Sequence, residues 1–150
     1  MRRPALAVLT TIALGGALGA CGSQANDVLA TNASADVKLG SQLFVAKCSG
    51  CHTLSKVGAQ GSATKIRDRE RVDGPNFNVR KECTDNVLYA IRNGGYSGAI
   101  MPENLVVGQE ADHIAKFLQQ YSGLQRKTTA GAKPLVCPGE SAANAPQPTP

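Results

Sequence analysis

The stretch Lys47-Cys48-Ser49-Gly50-Cys51-His52 decides how the rest of the chain is read. Two cysteines separated by two residues, with a histidine directly after the second, form the CxxCH pattern by which a c-type haem is attached. The spacing has a mechanical reason. Two intervening residues bring both thiols to one edge of a porphyrin, where they add to its vinyl groups, and the next residue supplies an imidazole to the iron. Two other chemistries use paired cysteines. A thioredoxin-like dithiol sits at a strand-to-helix junction of a βαβ unit, and no such strands are legible here. Zinc requires a second ligand pair at short spacing, whereas the other thiols, Cys83 and Cys137, lie far apart in the chain. Haem is the reading that survives.

Composition agrees that side chains alone do not make this core. The 150 residues include three Phe, three Tyr and no Trp. At about 150–250 Å² of burial each, six aromatic anchors do not go far. A domain built on them is either marginal or filled by something other than polypeptide. A coiled coil, a collagen-like repeat and a multi-span membrane protein are excluded, and there is no internal repeat.

Upstream, Met1-Arg2-Arg3 precedes an apolar run from Ala5 to Ala20 that contains Gly15, Gly16 and Gly19. Positive charge followed by a short apolar run describes a secretory signal over residues 1–20 rather than a spanning helix. Its end, Leu18-Gly19-Ala20-Cys21, resembles the lipobox of bacterial lipoproteins, which implies cleavage before Cys21 and acylation of that cysteine. Each buried methylene contributes about 0.8 kcal/mol, so several acyl chains hold a domain on a membrane. Loss of Arg2 and Arg3 leaves 14 Lys and Arg against 11 Asp and Glu, too mild a charge for a nucleic-acid binder.

Residues 21–35 are small and polar and read as a flexible tether. From Asp36 a helical pattern begins, with Leu39, Leu43, Phe44 and Ala46 as its expected apolar face. Residues 53–82 read as a long loop, its Lys65–Arg71 stretch alternating in charge like a solvated surface. A second helix opens with Thr84 as expected N-cap, carries Val87, Leu88 and Ile91, and stops at Gly94-Gly95. A third runs from about Gly108 to Tyr121 with Ala111, Ile114, Phe117, Leu118 and Tyr121 on one side, and Gly123 closes it. The tail, residues 124–150, holds five of the eight prolines and reads as disordered unless tied down. Cys83 and Cys137, left over in an exported chain, are a natural disulfide that would clip this tail to the domain.

Residues 36–123 resemble a small class I bacterial cytochrome c. Gly40 and Phe44 match the glycine and aromatic of that family's first helix, where the last helix crosses closely. Gly74-Pro75-Asn76-Phe77 matches its Gly-Pro segment, with Phe77 where an aliphatic residue is common. Ile100-Met101-Pro102 matches the loop that bears the distal ligand. The resemblance implies an all-α cytochrome c fold, about three main helices packed around one covalent haem c with long loops. It implies thioether bonds from Cys48 and Cys51, iron ligation by His52 and Met101, and a backbone carbonyl of Pro75 accepting from the His52 ring. Met101 also stands out by elimination, because Met1 leaves with the signal and no other methionine remains. His113, inside the third helix beside Asp112, is the rival ligand and is expected at the surface.

With both axial positions filled, the expected role is one-electron transfer rather than enzymatic turnover. A monomeric carrier is expected on the outer face of a bacterial cytoplasmic membrane, held by a lipid anchor, shuttling electrons between respiratory complexes. Redox proteins would dock transiently at the haem edge, near Lys47 and residues 94–98. The alternatives are a ligand-binding haem sensor, in which Met101 dissociates, and an electron-entry subunit of a specific oxidoreductase complex.

Overall fold

The computed structural model describes Leu29 and residues 32–63, 65–96, 100–127 and 136–139. The signal segment, Cys21, residues 97–99 and most of the tail lie outside the described residues.

Helix α1, Ala35–Lys47, starts at Ser34, whose side chain accepts a hydrogen bond from the Val37 N–H at 3.4 Å. Asp36 in its first turn and Lys47 in its last complement the helix dipole. The buried face is Val37, Gly40, Ser41 and Phe44; of the expected face Phe44 is buried and Leu43 packs against the core, whereas Leu39 and Ala46 are exposed. The reason is a helix crossing. A Cβ on Gly40 would lie 2.0 Å from the His113 carbonyl oxygen and 2.9 Å from Cβ of Phe117. Small residues therefore stand at the closest approach to helix α3, Gln109–Tyr121, while Phe44 packs on Phe117 with ring centroids 5.7 Å apart. Ser41 is fully buried because its hydroxyl donates back to Lys38 O at 2.7 Å and needs no other partner. On α3 the buried side chains include the expected stripe of Ala111, Ile114, Phe117, Leu118 and Tyr121.

Helix α2, Thr84–Asn93, packs Val87 and Ile91 inward. Its N-cap is Cys83, whose side chain makes no capping bond, instead of Thr84. The Thr84 N–H donates to Oε1 of Gln119 at 3.1 Å and its hydroxyl turns to the same oxygen, so this threonine ties α2 to α3. The loop between α1 and α2 contains two-residue antiparallel strands, β1 Thr53–Leu54 and β2 Ala59–Gln60, with Thr53 opposite Gln60. Strands this short carry no alternation for a sequence reading to detect.

The packed unit is longer than 36–123. Leu29 and Ala33, placed in the tether by the sequence reading, are buried in the core, because an apolar residue beside the α1 N-terminus gains more from packing than from hydration. At the other end, Gly123 N–H donates to Phe77 O and Gln125 N–H to Asn78 O, each at 2.7 Å, while Leu124 packs against the core. Cys83 and Cys137 form a disulfide with Cα atoms 5.4 Å apart, holding residues 136–139 beside the start of α2.

Candidate functional site

Immediately after α1 the chain turns through Cys48–Cys51, with His52 N–H and Cys51 N–H both donating to Cys48 O at 3.0 and 3.2 Å. This tight turn presents both thiols and the imidazole to one cavity of about 340 Å³. From α2 and the loop beyond it, Val87, Ile91, Ile100, Met101 and Leu105 line the same space. The surface is mainly apolar with a few polar groups, as expected of a cofactor site.

The imidazole is held on several sides. Its ring stacks on Phe77, with centroids 4.8 Å apart and planes 8° from parallel, and Phe44 stands 6.5 Å away. Pro75 O lies 3.3 Å from Nδ1. A carbonyl only accepts, so Nδ1 carries the proton and Nε2 keeps its lone pair. Burial holds His52 below the ordinary imidazole range, the Pro75 hydrogen bond acts the other way, and the Arg80 charge lowers it again. The ring is therefore neutral at pH 7, the form that ligates a metal. Gly74 makes the arrangement possible, since a Cβ there would sit 2.3–2.7 Å from three atoms of the His52 ring.

Cys48 and Cys51 are free thiols, the first half-buried and the second exposed. Burial, and then the neighbouring Cys51, pushes the Cys48 thiol up to about 12. A dithiol tuned for exchange is lowered instead, so the pair does not resemble a thioredoxin-type centre. Cys83 and Cys137, being bridged, offer no thiolates to a zinc ion.

Met101 is half-buried and packs against the core. Its loop is anchored by Asn104 N–H to Ile91 O at 2.8 Å. It passes so close to the end of α2 that a Cβ on Gly94 would lie 2.7 Å from Met101 O, and Gly94 itself has φ +69°. Glycine satisfies both demands at once. His113 is placed elsewhere. It does not line the cavity, and it is mostly buried at the α1–α3 crossing rather than at the surface, with Nδ1 3.8 Å from Asp36 Oδ1. Its backbone carbonyl is the atom Gly40 makes room for, which draws the whole residue into the crossing.

A family model described as cytochrome c matches residues 37–122, more than half of the chain. The chain belongs to the cytochrome c family. No curated protein matches it. The mostly helical structure with a small hairpin is the cytochrome c fold. Cytochromes c bind haem c covalently and transfer electrons through its iron. The residues present fit that group: a neutral imidazole with a free Nε2, two unbridged thiols, a thioether and a cradle at Gly74 that any larger residue would fill.

Two features of this cytochrome c were not legible in the sequence. The stacking of His52 on Phe77 is one. Arg80 and Glu82 line the cavity as an ion pair, from a stretch that reads as loop.

Proposed function

We propose that this cytochrome c is a membrane-tethered monohaem carrier that passes single electrons between respiratory complexes and has no substrate of its own. The observation that carries the reading is the convergence of Cys48, Cys51, His52 and Met101 on one cavity from segments far apart in the chain. Bound there, the haem supplies a reversible one-electron couple at its iron. Cys48 and Cys51 would hold it through thioether bonds, and His52 and Met101 would ligate its iron. The thioether of Met101 favours the ferrous state and raises the potential. Pro75 fixes the tautomer of His52, and Phe77 fixes the ring plane.

Acylation of Cys21, after removal of residues 1–20, would tether the domain to the outer face of a bacterial cytoplasmic membrane. Among the described residues no helix is long and apolar enough to cross a membrane. Partners dock transiently beside the cavity mouth, where Lys47 and Tyr96 are exposed.

Optical spectra of holoprotein matured with export, oxidised and reduced, test the reading beside Met101→Ala. The expected result is a low-spin spectrum with an iron–thioether charge-transfer band that the substitution abolishes. A high-spin protein that binds a small gas regardless of Met101 would identify a sensor instead. Co-purification in a fixed ratio with one oxidoreductase would identify an electron-entry subunit.

A further inference from the structure

Glu82 stands apart from the other charged groups around the cavity. Among the described residues it is the one Asp, Glu, Lys or Arg that is buried, its side chain 8% exposed. Its partner Arg80 is 52% exposed, and Lys47, Arg69 and Arg71, which also line the cavity, are open to solvent. Water therefore screens the cations far better than it screens this carboxylate.

The backbone holds Glu82 in place. Its N–H donates to Ser122 Oγ at 2.9 Å, the Cys137 sulfur lies 3.8 Å from its carbonyl oxygen, and the next residue is bridged to the tail. Glu82 thus lines the cavity from a wall tied to the end of α3 and to residues 136–139. At the mouth the Tyr96 phenol is held above its ordinary value first by burial and then by Glu82, with Arg80 acting the other way and less strongly.

We propose that Glu82 is a positioning residue that sets the reduction potential of this cytochrome c, its buried negative charge lowering the potential while Arg80 offsets only part of the effect. This rests on the carrier reading. When one electron arrives from a partner protein, ferric iron becomes ferrous and the cavity loses one positive charge; no bond changes. An ionised carboxylate in the wall opposes that loss, and a half-exposed guanidinium favours it more weakly. The buried carboxylate thus pulls against the thioether, and the balance decides which donors and acceptors the carrier can serve.

The test is spectroelectrochemical titration of the holoprotein near neutral pH, at low and high salt, for wild type, Glu82→Gln, Glu82→Asp and Arg80→Gln. Glu82→Gln keeps the volume and removes the charge; it is expected to shift the ferrous-to-ferric ratio at fixed potential about tenfold toward ferrous, about 59 mV for one electron. That shift should persist at high salt, and Glu82→Asp should restore most of the wild-type ratio. Arg80→Gln should move the ratio the other way, by less. A Glu82→Gln protein with the wild-type low-spin spectrum and a ratio within about twofold of wild type would overturn the proposal. If Glu82→Gln does not fold, Glu82→Ala takes its place, and a ratio within about twofold of wild type overturns the proposal. A wild type with no reversible couple overturns the carrier reading, and this inference with it.

Discussion

The segment bearing His52 and the segment bearing Met101 are built by different means. His52 is gripped by the chain's own core: Phe77 stacks on it, Phe44 stands behind, and Gly74 N–H donates to Cys51 O at 2.7 Å. Met101 is held at the root of its loop, by Gly94 and Asn104, while Ile100 beside it is 53% exposed. The first segment is ordered by packing that α1 and α3 provide. The second leaves apolar side chains facing a cavity, so its own stability depends on what fills that space.

The most severe way to break this contrast is at the helix crossing. Gly40→Leu would force a side chain into the His113 backbone, and the helices must separate. A loss of about 4 kcal/mol or more is expected, seen as a collapse of thermal stability with both segments lost together. An unchanged melting temperature would mean that the crossing does not organise the His52 segment.

Gly94→Ala sharpens the comparison. A Cβ there meets Met101 O at 2.7 Å and must adopt a left-handed conformation, at about 1–2 kcal/mol. The expected outcome is a weakened iron–thioether band, with the ring resonances of His52 little changed. Equal disturbance of both would show that the two segments are one cooperative unit.

The smallest effect concerns pH. Asp36 at the crossing is held below the usual carboxylate value by its hydrogen bond and charge interaction with Lys116 and, less, by His113. A lowered value stabilises the fold fully above the unfolded-state pKa, and that stabilisation disappears as pH falls through the folded-state value. Asp36→Asn should therefore leave a shallower loss of stability on the acid side of about pH 4, in melts at low salt. Indistinguishable acid limbs would show the pair to be fully screened.

Much of the framework was readable along the chain because its causes are local. The CxxCH turn is set by spacing, the ends of α3 by glycine, and its apolar stripe by a period of 3.6. The α1 face is legible only in part: the resemblance points to Gly40 and Phe44, but hydropathy favours Leu39, whereas the crossing selects Gly40 and Ser41 for their size. His113 was misplaced for the same reason: its burial comes from a backbone contact with another helix. Thr84 looks like a cap, but Gln119 competes for both of its donors from across the fold.

The sequence by itself determined what can be attached to this protein, since two thiols and an imidazole at that spacing are covalent chemistry that needs no fold to be recognised. Only the tertiary structure decided how the attached group is held and tuned. Phe77 lies on the imidazole, Gly74 and Gly94 admit close backbone approach, and Glu82 is buried while Arg80 is not. Those properties depend on which atoms exclude water from one another, and burial of that kind is a property of packed segments rather than of any one of them.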